Sequence, residues 1–493
     1  MAATNTPVKI RNTAGFTVDP SLPEQPTSPY PVDSKMQDNP KATNWVTDRA
    51  WICGAAGALA VVILAIWYNR AGIMHKHVTL FGNQITDTRH ETMLFALVVT
   101  TVVMVLCEML RLYLRSPKTF FMLDPDLKNN LPRFAINSLF NYLLWLGVLW
   151  LAWSFYRSAN EYGYFRNAGY YQVFFLFIET ALDVWASLWG VAYVFITRAL
   201  KYDPESDPRE LATTLQKALR WAPSQLPLMK DLRPNFDYVD IKNLRGLGVK
   251  IFFTPLMTVF FVDQFPHLVN NIGYVLDTLP NMIANDRYNH QQFNKDAFNL
   301  SMPLIFSVDV ALAWCGYVIS SRWVDNHTHS AEPTMLGMIV CIACYPPFQF
   351  LLGAFASPPG DRDVLQIPSE WIASLFIMMM VASYIVYMCS TLWFGVRFSN
   401  LTNRGIIRKG PFAFVRHPAY ASKNFAWWCV MFPFALWNST HNLGLAAFQI
   451  MGLILMTAVY YMRAITEERH LMADPAYQEY CRQVKYRFIP GIL

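Results

Sequence analysis

Residues 51–68 read WICGAAGALAVVILAIWY, and this run of eighteen positions contains no charged side chain. An α-helix of about 20 apolar residues spans the hydrocarbon core of a bilayer. Similar runs recur along the chain, which is 54% apolar and only 15% charged, whereas soluble domains carry about 25% charged residues. The sequence therefore predicts an all-α, polytopic membrane protein.

The apolar runs predict about ten transmembrane helices. They lie at 51–68, 91–113, 136–156, 170–197, 249–275, 298–320, 334–356, 371–394, 425–438 and 443–462. The ninth run is short for a complete span, so the last two are expected to form a tight helical hairpin. Ten crossings place both termini on the same side of the membrane.

Positive charge in the loops predicts the orientation. Loops 198–250 and 395–424 are rich in Lys and Arg, as are both terminal tails and loop 114–133, whereas the intervening loops carry few positive charges for their length. All the basic segments fall on one face, so both termini are predicted to be cytoplasmic. The net charge of +6 arises in these loops and is no indication of nucleic-acid binding.

The chain divides into three predicted regions. Residues 1–46 are polar and proline-rich, lack a basic-then-apolar leader, and are predicted to form a disordered cytoplasmic tail. Residues 47–297 would supply five membrane helices of unassigned role. Residues 298–493 would supply the other five helices, and the motifs near their C-terminal end mark this region as the candidate catalytic core. No phosphate-binding glycine loop, dinucleotide fingerprint or Ser-His-Asp pattern is present.

The cysteines predict neither disulfides nor a metal site. Eight cysteines are scattered, mostly inside predicted helices. Cys341 and Cys344 form a C-x-x-C pattern, but it lies in an apolar helix without a second ligand pair. Helix packing is therefore the favoured interpretation of these two residues, and no metal is expected.

Acidic side chains inside predicted membrane helices are functional candidates by default. Glu179 and Asp183 are four residues apart on one helix face. They belong either to an ion path or to polar contacts with a neighbouring helix, and the second interpretation is favoured. Asp309 lies in the proposed core and is expected to pair with an arginine such as Arg322. The Tyr-Pro-Pro break at 345–347 predicts a kink or, preferably, a cavity lining.

The stretch most informative about chemistry borders the last helical hairpin. Residues 403–428 read NRGIIRKGPFAFVRHPAYASKNFAWW, and residues 463–471 read RAITEERHL. Charged residues so close to apolar helices need a partner, a solvated cavity or a ligand. Pro418 lacks an amide hydrogen and disfavours helix at the preceding residue, so the R-H-P sequence marks a helix start.

A cavity at this helix start would contain several complementary groups. His417 and Tyr420 offer directional polar atoms, Arg416 an anion-binding group and Glu468 a cation-binding group. Nearby aromatic side chains suit a purine ring or a sulfonium cation.

This part of the chain resembles isoprenylcysteine carboxyl methyltransferases and related phospholipid methyltransferases. The shared pattern is G-P-F/Y-x-x-x-R-H-P-x-Y, then a helical hairpin, then R-x-x-x-E-E-x-x-L. The resemblance covers roughly the last 100 residues. It implies S-adenosylmethionine at the cytoplasmic face. The implied cofactor residues are Arg416, His417, Pro418, Tyr420 and Glu468, and Arg463 and Glu467 would lie where cofactor and acceptor meet. The sequence departs from the family pattern at two positions. Phe412 stands where Tyr is common, and Ser422 stands where Gly often follows the motif tyrosine.

The leading hypothesis is a membrane-embedded methyltransferase that uses S-adenosylmethionine and acts on a lipid or lipidated acceptor. Methyl transfer is an in-line displacement, so the donor must be held with its methyl aimed at the nucleophile. Arg463 would orient a carboxylate acceptor. Glu467 would act as the base for an amine or a phenol.

Two alternatives remain open. The first is an NADPH-dependent enzyme resembling sterol reductases, which share an R-H-P-x-Y-like motif and a closing Y-C-x-x-V-x-Y-R-x-x-P, present here at 480–490. The E-E-x-x-L form at 467–471 weighs against it, as does the absence of the reductases' Lys-Asn-rich segment. The second is a transporter or scaffold with a relic catalytic fold. The endoplasmic reticulum and a bacterial inner membrane are both open as locations.

Overall fold

The structure is a computed structural model that describes most of the chain. The described residues are 47–75, 77–115, 117–159, 169–200, 208–221, 235–349, 367 and 369–492. The helices are α1 (Trp51–Ala71), α2 (Arg89–Arg115), α3 (Pro117–Phe120), α4 (Pro125–Asn129), α5 (Leu131–Ser158), α6 (Gly169–Ala186), α7 (Leu188–Leu200), α8 (Pro208–Trp221), α9 (Tyr238–Gly273), α10 (Leu279–Ala284), α11 (His290–Val318), α12 (Met335–Ile342), α13 (Glu370–Phe394), α14 (Pro418–Ser439), α15 (Leu443–Leu471) and α16 (Pro475–Gln483).

Extended structure within these residues is limited to two antiparallel ribbons. In one, β1 (Thr79–Leu80) pairs with β2 (Asn83–Gln84); in the other, β3 (Ser330–Ala331) pairs with β4 (Thr402–Asn403). The second ribbon connects the loop before α12 to the loop before α14. It therefore joins two elements that border the candidate site.

Seven described helical segments are long and apolar enough to cross a bilayer, and the bent pair α6–α7 would make eight. A helical, multi-pass membrane protein therefore agrees with both sequence and structure. The total of ten helices and the cytoplasmic position of both termini stay predictions. The predicted tail 1–46 lies outside the described residues.

Two predicted helices differ from those observed. The run 170–197 was expected to be continuous, but α6 and α7 meet at an angle of 73°. At the bend Ser187 donates a hydrogen bond to the carbonyl of Val184 and accepts one from the amide of Trp189. The run 334–356 was predicted to be interrupted at 345–347, and α12 ends slightly earlier, at Ile342, before two prolines that lack an amide hydrogen. Residues 350–356 of this run lie outside the described residues.

The last two predicted helices do form a hairpin. α14 begins at Pro418 and has 22 residues, which is longer than the predicted run 425–438. α15 follows after a turn of three residues, 440–442. Short connections of this kind place antiparallel helices side by side, and the Asn438 amide donates to Gln449 across the hairpin at 3.0 Å.

The largest hydrophobic core contains residues from both halves of the chain. It includes Tyr68 of α1, Met104 of α2, Phe253 of α9 and Trp314 of α11. α1 also approaches α13 closely at Gly54. A Cβ atom at this position would lie only 2.1 Å from the carbonyl oxygen of Leu392, so a larger residue would clash. The N-terminal helices are thus packed against the proposed catalytic core, while the division of roles at 297/298 stays a prediction.

A buried ion cluster adds a polar contact between the two halves. Glu108 of α2 is fully buried, and its carboxylate lies 2.7 Å from Arg397, in the 3₁₀ turn Gly395–Arg397 after α13. Arg111 contacts the same carboxylate at 2.6 Å, and Arg397 also donates to the carbonyl of Val324 at 2.9 Å. Each charge has opposite charge or hydrogen-bond partners, as burial of an ion requires.

Two of the intramembrane acids, Glu179 and Asp309, have identifiable partners. Glu179 of α6 pairs with Arg157 of α5 and lies 3.5 Å from the indole nitrogen of Trp153. This arrangement agrees with a polar contact between neighbouring helices. Asp309 of α11 accepts hydrogen bonds from Tyr387 at 2.9 Å and Thr391 at 2.5 Å, both on α13. The partners seen for Asp309 are therefore hydroxyl groups, where an arginine was expected.

Candidate functional site

The α14–α15 hairpin brings the two sequence motifs together. His417 directly precedes α14, and Glu468 lies in the last turn of α15. The Nε2 atom of His417 is 3.1 Å from Oε1 of Glu468, although 51 residues separate them along the chain. Both side chains are buried. The predicted association of the R-H-P and E-E sequences is therefore present in the fold.

Glu468 is the centre of a small ion cluster. The Nε atom of Arg416 lies 3.3 Å from its Oε1, and Arg487 donates to Oε2 at 2.9 Å. Burial alone would lower the pKa of Arg416, but the Cys481 thiol and the Glu468 carboxylate beside it outweigh this effect and raise the pKa. Arg487 was not among the predicted site residues, although it belongs to the recognised closing pattern at 480–490.

The C-terminal tail covers this cluster. The backbone amides of Arg416 and His417 donate to the carbonyls of Tyr486 and Arg487, each at 2.9 Å. The imidazole of His417 is parallel to the ring of Tyr420, with centroids 5.5 Å apart, and also contacts Phe488 at 5.8 Å. The tail is thus attached to the start of α14 by main-chain and aromatic contacts.

A tyrosine of α16 holds the turn that leads into the R-H-P sequence. The buried Tyr480 hydroxyl donates to the carbonyl of Phe412 at 2.7 Å. Burial raises the pKa of this phenol, so it remains a donor at neutral pH. Phe412 itself is buried and packs against Phe394 with ring centroids 5.2 Å apart, an environment that suits Phe at this position.

Replacing Tyr480 by phenylalanine is expected to lower the free energy of unfolding by about 1 kcal/mol, because a buried hydrogen bond is lost and a carbonyl is left without its donor. The measurement is the thermal unfolding midpoint in detergent. Gln483→Ala serves as the control, since the Gln483 amide donates only to Glu479 on the protein surface. Equal midpoints for the two variants would show that the Tyr480 bond contributes no stability.

Arg463 lies in a cage of tyrosine rings. Its guanidinium carbon is 4.7 Å from the ring centroid of Tyr420, 5.8 Å from that of Tyr345 and 6.0 Å from that of Tyr460. It also donates to Oδ1 of Asn400 at 3.1 Å. Tyr345 of the Tyr-Pro-Pro break is therefore a neighbour of Arg463, and its predicted role as a cavity lining stays a prediction. Tyr460 and Asn400 were not predicted.

Glu467 and Tyr420 form the second predicted pair. The Tyr420 hydroxyl donates to Oε2 of Glu467 at 2.7 Å, and the Glu467 side chain remains 39% exposed. These groups border a cavity of about 30 Å³. Its wall also includes Glu332, Cys341, Leu401, Arg463, Thr466 and His470. Cys341 therefore lies beside Arg463, with Sγ 3.6 Å from its Nη2, rather than serving helix packing alone.

Ser422 lies where α14 packs against α13, and both its hydroxyl and its carbonyl have hydrogen-bond partners. Its hydroxyl donates to the carbonyl of Pro418 at 2.7 Å in the same helix, and its own carbonyl accepts from Ser383 of α13 at 2.7 Å. The hydroxyl that serine adds, compared with the more common glycine, is thus hydrogen-bonded within α14. The departure from the family pattern leaves the His417–Glu468 contact in place.

Comparison with known proteins gives one match. The family model described as "Protein of unknown function (DUF1295)" matches residues 355–484, which contain all seven predicted site residues. That family is related to steroid 5-alpha-reductase-like and methyltransferase-like membrane proteins. No curated protein and no solved structure matches. The C-terminal region is thus similar to membrane enzymes, without a distinction between methyl transfer and reduction.

Proposed function

We propose that the protein is a membrane-embedded methyltransferase that uses S-adenosylmethionine and acts on a lipid or lipidated acceptor at the cytoplasmic face. The observation that carries this proposal is the position of Arg463, Tyr420 and Glu467 around one cavity beside the His417–Glu468 pair. A guanidinium and a carboxylate are then available next to a second group of charges suited to a zwitterionic cofactor.

The residue types around Glu468 fit the cofactor. Arg416 is suited to its carboxylate and Glu468 to its ammonium group, while the rings of Tyr420 and Phe488 suit adenine or the sulfonium. The space of about 30 Å³ between the side chains holds a water molecule or two. A nucleotide-sized molecule at this place therefore requires neighbouring segments to move. The C-terminal tail is one such segment, since its Arg487 is bound to Glu468.

The cofactor supplies a methyl group on a sulfonium, and the chain supplies binding, orientation and exclusion of water. Arg463 lies eight residues before the end of α15, about 12 Å along the helix. This depth suits an acceptor that approaches from the bilayer. Arg463 would orient an anionic oxygen, and Glu467 would accept a proton from an acceptor that has to lose one.

A reductase that uses NADPH is the second candidate. The specific observation in its favour is the number of arginines and lysines in the two segments 404–416 and 482–487, which adjoin the site in the sequence. They are Arg404, Arg408, Lys409, Arg416, Arg482, Lys485 and Arg487. Such residues suit a highly charged dinucleotide phosphate. The proximity of Glu467, Glu468, Asp474 and Glu479 offsets much of this charge, so the methyltransferase is preferred.

The test measures ligand binding to the purified full-length protein in detergent, by thermal shift and by calorimetry. S-adenosylmethionine and S-adenosylhomocysteine are expected to raise the unfolding midpoint by several degrees, with no rise from NADPH. A rise from NADPH alone would assign the reductase instead. No response to any of the three would refute both enzyme assignments.

The matched variants for this test are His417→Ala and His441→Ala. His417 contacts Glu468, whereas His441 is exposed beyond the opposite end of α14. We expect His417→Ala to weaken cofactor binding at least 10-fold, since a buried charged hydrogen bond contributes about 1.5–3 kcal/mol, and His441→Ala to leave it unchanged. His417→Gln retains a hydrogen-bonding side chain and controls for loss of folding. Normal binding by a folded His417→Ala variant would overturn the site assignment.

A further inference from the structure

Asn400 contacts Arg463 from outside the two motif stretches that border the hairpin. It lies in the segment 398–401, between the 3₁₀ turn that follows α13 and strand β4. Its Oδ1 atom accepts a hydrogen bond from Nη2 of Arg463 at 3.1 Å. The other hydrogen-bond partner that the described residues give to this guanidinium is the thiol of Cys341 at 3.6 Å, which is a weak acceptor. Asn400 therefore supplies the strong acceptor of this pair.

The side-chain amide of Asn400 can face Arg463 in only one orientation. Its Nδ2 atom donates to the hydroxyl oxygens of Tyr317 at 2.8 Å and Tyr345 at 3.1 Å, which uses both hydrogens of the amide. A guanidinium has five donors and no acceptor, so a flipped amide would set donor against donor at Arg463. The two tyrosine hydroxyls thus hold the oxygen of Asn400 towards the guanidinium.

The backbone around Asn400 is fixed as well. Its own amide donates to the Tyr317 hydroxyl at 3.0 Å. The next residue, Leu401, borders the cavity and has a φ of 61°, in the left-handed region that bulky side chains rarely adopt. The carbonyl of Leu401 accepts the amide of Glu332 at 2.8 Å, beside the β3–β4 ribbon. Strained residues of this kind persist where their surroundings determine the conformation, and they concentrate at functional sites.

The two tyrosines that orient Asn400 are supported by the N-terminal half of the chain. Tyr317 of α11 is fully buried, and its ring is parallel to that of Phe253 of α9, with centroids 5.0 Å apart. Phe253 also contacts the ring of Tyr345 edge-on, at 4.9 Å. One buried side chain of α9 therefore packs against both tyrosines. A helix from the predicted N-terminal region thus supports the residues that orient Asn400.

We propose that Asn400 is a positioning residue, whose oxygen holds the guanidinium of Arg463 in the orientation that the reaction requires. The inference deepens the proposed function and rests on it only for the role of Arg463 in methyl transfer. The contact itself needs neither cofactor nor acceptor. Asparagine suits this role because its neutral oxygen accepts a hydrogen bond without neutralising the guanidinium, which stays available to an anionic oxygen of the acceptor.

The first measurement observes the guanidinium by NMR and needs no activity. Full-length protein is prepared with isotope-labelled arginine, and the signal of Arg463 is assigned by its loss in Arg463→Met. A hydrogen bond at Nη2 slows rotation about the Nε–Cζ bond. Asn400→Ala is expected to accelerate this rotation about 10-fold, the equivalent of one hydrogen bond to a charged group. Asn400→Asp keeps an accepting oxygen and should keep the rotation slow.

Asn285→Ala is the matched control for this measurement. The Asn285 side chain donates to the carbonyl of Asn281 on the protein surface, so its loss should leave the Arg463 signal unchanged. Equal rotation rates in Asn400→Ala and the unmodified protein would overturn the proposal.

The second measurement shows whether Asn400 acts through Arg463. Asn400→Ala is expected to lower the rate of methyl transfer about 10-fold, with cofactor binding unchanged. The double variant Asn400→Ala/Arg463→Met should be no slower than Arg463→Met alone, because a positioning residue has no effect once its target is absent. A purely structural role would lower the rate in both backgrounds. Losses that multiply would therefore refute the proposal.

Tyr317→Phe is a second variant that tests the same contact with less risk to folding. It keeps the stacked ring and removes the hydroxyl that orients Asn400, so methyl transfer should fall about 3-fold, and again not in the Arg463→Met background. Tyr68→Phe is the matched control, because the buried Tyr68 hydroxyl donates to a backbone carbonyl of α2. Equal losses of rate in the two tyrosine variants would count against the positioning role.

The two measurements separate this inference from the proposed function. Faster rotation in Asn400→Ala, in a protein without methyl transfer, would support the positioning contact and refute the methyltransferase. Methyl transfer that depends on Arg463 and not on Asn400 would support the methyltransferase and refute the positioning role.

Discussion

Replacing Arg463 by methionine is expected to lower the rate of methyl transfer by about 100- to 1000-fold, the usual effect of removing one charge-stabilising donor from an active site. Binding of S-adenosylmethionine should change by less than about 3-fold, since the cofactor groups are assigned to Arg416, His417 and Glu468. Methionine is apolar and flexible, so it should pack against Tyr420 and the other rings that now surround the guanidinium.

The measurement is transfer of labelled methyl from S-adenosylmethionine to a membrane lipid extract, with calorimetry for cofactor binding. Arg482→Met is the matched control, because the Arg482 side chain is 73% exposed and pairs only with Glu479 on the surface. Its activity should equal that of the unmodified protein. Full activity of Arg463→Met would remove Arg463 from the reaction, and an equal loss in both variants would point to a general effect of charge.

Glu108→Ala is expected to lower the free energy of unfolding by about 3–5 kcal/mol, because it leaves the guanidinium of Arg397 buried without its carboxylate. Arg397 is 2% exposed, and its remaining bond is to the carbonyl of Val324. The measurement is equilibrium unfolding in detergent mixtures. Since the cluster joins α2 to the turn after α13, the variant should also weaken cofactor binding.

Glu179→Ala is the matched control for this prediction. It breaks another interhelical Glu–Arg pair, but the side chains of Arg157 and Glu179 are 46% and 35% exposed, and such exposed pairs contribute about 0–1 kcal/mol. The double variant Glu108→Ala/Arg397→Met should recover part of the lost stability, since it removes the uncompensated charge. Similar effects of Glu108→Ala and Glu179→Ala would show that the buried cluster has no special role.

The Arg463 and Glu108 variants test different parts of the molecule. Arg463→Met tests chemistry at the end of one hairpin, whereas Glu108→Ala tests whether the N-terminal helices support that hairpin. The shared hydrophobic core and the close approach of α1 to α13 at Gly54 give the N-terminal helices a structural connection to the site. Their separate biochemical role stays a prediction.

Some features of the protein were determined by local sequence. Runs such as 51–68 and 443–462 must be helical in a bilayer, because only a helix satisfies its own backbone hydrogen bonds there. The short 439–442 connection makes α14 and α15 antiparallel neighbours. The approximate position of His417 and Glu468 at one end of that hairpin follows, so their association could be predicted without tertiary information.

Other features depended on contacts between distant parts of the chain. The tyrosine cage of Arg463 uses Tyr345 from the segment after α12 and Tyr420 from α14, and Arg487 reaches Glu468 from the C-terminal tail. The bend between α6 and α7 also escaped a search for apolar runs, since hydropathy averages over the few residues that break a helix.

The apolar pattern of the sequence by itself determined a multi-pass helical protein with its charged motifs at one membrane face. The physical reason is that insertion depends on the summed transfer energy of consecutive residues. Only the tertiary structure decided which charges are neutralised. Glu108 pairs with Arg397 and Glu468 with His417, both far away in the chain, while Arg463 contacts Asn400, Cys341 and the ring of Tyr420. Electrostatic pairing depends on distance in space, and spacing along the sequence does not specify it.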